Sequence, residues 1–219
     1  MLMNSFNLPA LLSRLVILMI AFTVHELSHA LLADHYGDPL PRQEGRITLN
    51  PLKHLDPFGS LMLLLTGFGW AKPVNISPGI IQRKNKSGLM WIAFAGPASN
   101  LALAGIGALI YKWVIKAGAG TMLGGVWGYL SYFFLHFVII NISLFVFNLI
   151  PLAPLDGEKV VEHFIPYSAR PTWDRIQAHG MQILMVLFML LPYMRIHFFT
   201  NGLFQIVRII FNLMMGRSL

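Results

Sequence analysis

Thr23-Val24-His25-Glu26-Leu27-Ser28-His29-Ala30 stands near the end of an apolar run that extends from Leu11 to Ala33. The run predicts a helix, and on a helix residues four apart share a face. His25 and His29 can then aim their ring nitrogens at one point, which is what zinc asks of two imidazoles. Glu26 lies one step round the helix. It is placed to take a proton from a water at the metal without being a ligand itself. The pattern normally belongs to a water-accessible helix, yet most of this helix reads as membrane-buried.

Composition bounds the class. Of 219 residues, 56% are hydrophobic and only 11% charged, with mean hydropathy +0.63. A soluble domain carries about 25% charged residues. The chain is therefore expected to be an all-α integral membrane protein, a polytopic bundle of about 4–6 membrane segments. Its length suits a single membrane-embedded domain over 1–219. The net charge of +7 reads as cytoplasmic loops facing anionic lipid, not as nucleic-acid binding. No aromatic-interleaved basic stripe is present. There is no cysteine, which excludes disulfides, thiolate ligands and a cysteine nucleophile. A zinc site must then use His, Asp or Glu. Arg14 before an apolar run superficially resembles a signal peptide. The run is too long for one and carries the His-Glu pattern, so it is expected to be retained.

Three spans are legible: residues 8–33, 88–113 and 126–149. Between the first two, Arg46-Ile47-Thr48-Leu49 alternates, and Lys72-Pro73-Val74-Asn75-Ile76 is β-favouring, so two short strands are expected. The apolar stretch 57–71 is only 15 residues long and holds Gly59, Gly67 and Gly69. It is too short to span and is expected to be re-entrant or interfacial. Pro97 is expected to kink or break the second span, and residues 112–125 to form a short glycine-rich turn. Residues 158–178 should include an interfacial helix. Residues 179–194 and 196–215, parted by Pro192 and Arg195, form two short spans or a hairpin. Seven Lys and Arg lie between the first two spans (Arg42, Arg46, Lys53, Lys72, Arg83, Lys84, Lys86), and two, Lys112 and Lys116, lie between the second and third. The positive-inside rule then puts 34–87 in the cytoplasm. His25, His29 and Asp156 all fall near that side.

Two histidines leave a catalytic zinc one protein ligand short. The candidates are His35, His54, His136, His163, His179, His197 and the membrane-proximal acids. Asp156, in Pro151-Leu152-Ala153-Pro154-Leu155-Asp156-Gly157, stands out: a carboxylate at the inner end of a span needs a partner. A helix-capping Asp in a turn is the plainer alternative. His54 reads as a loop-packing or interfacial histidine. Asn100 and Pro97 read as shaping the second helix against the first.

The sequence resembles the site-2 proteases, intramembrane zinc metalloproteases, over roughly residues 20–160. The likeness rests on HELSHA at 25–30, GRITLNPLKHLDPFGS at 45–60, WAKPV at 70–74, AGPASN at 95–100 and NLIPLAPLDG at 148–157. The match is to the compact form without PDZ or CBS domains, with a zinc-site core over about 8–160 and C-terminal helices over about 179–215. The resemblance implies that His25, His29 and Asp156 bind one zinc and that Glu26 is the general base. Asn148 falls on the family's asparagine. It is expected either to donate to the substrate carbonyl as charge develops or to make a helix-helix hydrogen bond. Glu158 stands where the family's turn usually has a second glycine, and Ala153 where a proline is common. The implied activity is that of a zinc metalloendopeptidase cutting transmembrane segments of membrane proteins at a site towards the cytoplasmic side. The competing reading is a metal-binding or metal-transporting membrane protein, since intramembrane His and Asp also mark ion pathways. A proteolytically inactive scaffold is a third.

Overall fold

The computed structural model describes residues 8–59, 70–118 and 125–216. Four of its helices are long and apolar enough to cross a membrane. They lie within α1 (Leu8–His35), α4 (Gly88–Gly118), α5 (Gly125–Asn148) and α9 (Phe198–Met215). Between α1 and α4 come two short helices, α2 (Leu40–Gln43) and α3 (Pro78–Lys84). After α5 come α6 (Asp156–Glu162), α7 (Arg170–Gln177) and α8 (Gly180–Tyr193). The segment ending in α7 and the segment α8 meet at 58° and together are apolar enough for a broken fifth span. The result is an all-α polytopic membrane protein.

The second span is central: α4 packs against α1, α5 and α6. Ala104 and Ala108 of α4 meet Val138, Ile142 and Val146 of α5, and Leu203, Val207 and Ile210 of α9 close the cluster. Lipid tails are as apolar as these side chains, so the contact gains from close van der Waals packing rather than from escape from water. Alanines on α4 permit that approach. Pro97 does not break α4, which continues through it. A spanning helix tolerates proline where its neighbours shelter the freed backbone groups. The helix also outlasts the expected end of the span and reaches Gly118, so residues 112–118 are helical where a turn was expected.

The C-terminal ambiguity resolves into α8 and α9. Arg195 adopts a left-handed conformation at φ 62°, a costly state for a non-glycine residue, and it marks the corner between them. No residue of α9 is buried, and Phe198, Phe204 and Leu213 are exposed.

The two short strands do not form. Among the described residues the β-pairing is a single antiparallel bridge, Leu55 with Ala71. Side chains have taken the backbone partners that a strand would use. The Thr48 carbonyl accepts from His54 Nε2 at 2.8 Å, and the Lys72 carbonyl accepts from Arg46. The Val74 N–H donates to Glu26 Oε2 at 3.1 Å. His54 is fully buried in this loop. Asp38, also fully buried, accepts from Leu40 N and Ser77 N. Thus 36–56 and 71–77 are held by buried polar side chains, not by a ladder. The stretch expected to be re-entrant, 57–71, falls mostly outside the described residues.

Candidate metal centre

One turn of α1 separates His25 from His29, and their rings meet edge to face with centroids 4.7 Å apart. Each ring is oriented from behind. His25 Nδ1 lies 2.6 Å from Asn100 Oδ1 of α4, and His29 Nδ1 lies 2.7 Å from the Ile92 carbonyl. Both partners are oxygen acceptors for Nδ1, which turns both Nε2 atoms forward as the nitrogens available to a metal. Asn100 is itself fixed, donating through Nδ2 to Asn141 Oδ1 at 3.1 Å, while Asn141 donates to the Phe137 carbonyl. A hydrogen bond between membrane helices contributes only about 0.6 kcal/mol on average. The main consequence of this chain is the orientation of His25.

Gly96 lets the two rings lie against α4. A Cβ there would stand 2.4 Å from His29 Nε2 and 2.7 Å from His25 Cε1. Gly96→Ala is expected to displace both rings and to lower turnover about 100-fold, the scale of an ångström-size misplacement. Gly105→Ala, where nothing lies within 4 Å, is expected to have no effect. Zinc content and turnover of the two purified variants compare them.

Asp156 reaches the same point from the far end of α5. The chain leaves that helix at Asn148, turns through residues 149–155 and enters α6 with Asp156 as its first residue. Gln177 of α7 braces the turn, accepting from Ala153 N at 2.8 Å and donating to the Pro151 carbonyl at 3.1 Å. Gly157 is obligatory for this fold-back, because a Cβ would lie 2.4 Å from the Leu149 carbonyl oxygen. The Asp156 carboxylate lies 3.1 Å from His25 Nε2 through Oδ2 and 3.4 Å from His29 Nε2 through Oδ1. A carboxylate that serves as a metal ligand must be ionised.

The donor set fits a divalent cation. One ligand atom from each of His25, His29 and Asp156 lies within 4.8 Å of the others. Asp156 Oδ2 is buried without a hydrogen-bond partner, although it faces His25 Nε2. Two imidazole nitrogens and a carboxylate converge on one point, and a zinc-type ion satisfies all three. Among the described residues this is the one group of three or more His, Asp or Glu side chains able to hold an ion.

Glu26 is buried beside this centre and points to the loop side. Its Oε2 accepts from Val74 N and lies 3.9 Å from Arg46 Nη2. Asn148 is half-buried at the end of α5, where its Nδ2 donates to the Leu144 carbonyl of its own helix at 3.0 Å. Among the described residues it joins neither the metal group nor a neighbouring helix. Asn100, read from the sequence as shaping the second helix against the first, meets that helix at a candidate ligand, His25. The small-polar pair Gly96 and Asn100, four apart on one face, was the available signal.

The family model described as Peptidase family M50 matches residues 124–191. "Putative zinc metalloprotease YwhC" of Bacillus subtilis is 39% identical over 173 residues, covering 79% of this chain and 78% of that protein. "Putative zinc metalloprotease Rip2" of Mycolicibacterium smegmatis is 30% identical over 159 residues, covering 69% of this chain and 57% of that protein. No solved structure matches. The chain belongs to peptidase family M50, the site-2 protease family of zinc metalloproteases.

Proposed function

We propose that the protein is an intramembrane zinc metalloprotease that hydrolyses peptide bonds in the transmembrane segments of other membrane proteins. The observation that carries this reading is the meeting of His25 Nε2, His29 Nε2 and the Asp156 carboxylate with a buried Glu26 beside them. His25, His29 and Asp156 hold one zinc per chain. When bound, zinc would lower the pKa of a coordinated water to about 7 and polarise the scissile carbonyl. Glu26 takes the water's proton and later returns it to the leaving amine. Its Oε2 accepts from Val74 N, which orients the carboxylate for this role. A helical substrate hides its carbonyls in hydrogen bonds and must unwind locally before attack. The excess of Lys and Arg in 34–87 supports a site towards the cytoplasmic side of the cell membrane.

Asn148 is assigned the donor to the carbonyl oxygen as negative charge develops, a role that requires Nδ2 to leave the Leu144 carbonyl. Asn148→Ala is then expected to lower kcat about 100-fold with zinc content unchanged. A variant that cleaves at the parental rate removes Asn148 from the mechanism. The reading as a whole is tested by reconstituting the purified protein in liposomes with single-pass membrane substrates. Zinc-dependent fragments should appear with the parent protein and be absent with Glu26→Gln.

A further inference from the structure

Arg46 is 2% exposed, a rare state for a guanidinium. From the sequence Arg46 reads as one end of a short strand and as one positive charge in the loop between the first two spans. Its Nη1 donates to the Lys53 carbonyl and its Nη2 to the Lys72 carbonyl. Nη2 also lies 3.9 Å from Glu26 Oε2. That same oxygen accepts from Val74 N, two residues beyond the carbonyl that Arg46 holds. The fork therefore joins the loop around Lys53, the strap over residues 71–74 and the Glu26 carboxylate. Arg46 Nε is buried with no partner, so the group is oriented by these three contacts and not by completing its own hydrogen bonds. A lysine ammonium, a point charge, cannot reproduce a planar fork with two carbonyls in fixed directions.

We propose that Arg46 is a positioning residue for hydrolysis. It holds the strap so that the Val74 N–H fixes Glu26 Oε2 and, with it, the orientation of the carboxylate beside the metal group. This rests on Glu26 being the general base. Removing Arg46 loosens the strap without detaching it. Lys72 N still donates to the His54 carbonyl at 2.8 Å, and Leu55 still pairs with Ala71. The change is therefore local to the strap and the base.

Because the chain has no cysteine, a Lys72→Cys variant takes a single nitroxide label at an exposed position on the strap. The label is read with Arg46 intact, with Arg46→Lys and with Arg46→Gln. Cleavage of a fluorogenic transmembrane peptide and zinc content are measured on the same samples. The expected result is a slow label with Arg46, a fast one with Arg46→Gln and an intermediate one with Arg46→Lys. Turnover in Arg46→Gln should fall about 100-fold, with KM within about twofold and zinc at the parental level. Three results overturn the proposal: a loosened strap with parental kcat, a KM that rises while kcat stays, or a kcat that falls only in proportion to lost zinc. An unchanged label with any activity also overturns it. If Glu26→Gln itself cleaves at the parental rate, the base reading has failed, and the label still reports whether Arg46 holds the strap.

Discussion

Glu26→Gln is expected to lower peptide cleavage by about 10²–10⁴-fold, the range for a lost general base, while one zinc per chain stays bound. Glutamine has the size of glutamate and keeps an amide oxygen for the Val74 N–H that now ends on Oε2. The strap therefore has no reason to move. None of the groups that meet at the candidate metal centre is touched, because His25, His29 and Asp156 converge without Glu26. What is lost is the capacity to accept and return a proton. Turnover of a fluorogenic transmembrane peptide and zinc by atomic absorption, on one sample, measure both halves. A protein that only binds or transports metal has no need of a non-ligand carboxylate there, so zinc flux into liposomes would be the same for both proteins. Equal flux, with no cleavage by either, would falsify the protease reading.

The chemistry was more legible than the scaffolding around it. His25, Glu26 and His29 sit within one helical turn, so their mutual geometry is fixed by the α-helical period. Asp156 is far away in sequence, yet its depth followed from counting charged loops, and the carboxylate lies 3.1 Å from His25 Nε2. The spans were legible because apolar length is a local property. Strands at 46–49 and 72–76 failed for the opposite reason. Alternation at Arg46-Ile47-Thr48-Leu49 is a local signal, but the outcome was decided by Arg46 turning inward to bind carbonyls of Lys53 and Lys72. No pattern within four residues contains that contact. Gly96 and Asn100 were visible as a small-polar pair suited to helix packing. That the packing partner is a pair of imidazoles, and that a methyl group at Gly96 would collide with them, requires α1 and α4 side by side.

Asp156→Asn separates ligation from folding more cleanly than any alanine variant. Asparagine keeps the shape of the side chain and adds an amide N–H₂ where Asp156 Oδ2 now stands buried without a partner. That amide can donate to His25 Nε2, which lies 3.1 Å from the oxygen it replaces. The hydrogen bond gives the new amide a partner and engages the His25 nitrogen a metal would need. The expected protein is folded, as stable as the metal-free parent or more so, and blind to zinc. Loss of an outer-shell partner such as Asn100 typically weakens metal affinity about 10–100-fold. Loss of one of three ligands, with its place taken by a competing donor, should exceed that range and remove cleavage with it. Thermal unfolding with and without added zinc is the measurement. The parent's Tm should rise with zinc concentration because the ion binds the folded state, and the variant's should not move. A variant that still holds one zinc and gains stability from it would show that Asp156 is no ligand, leaving His25 and His29 to find their third partner elsewhere.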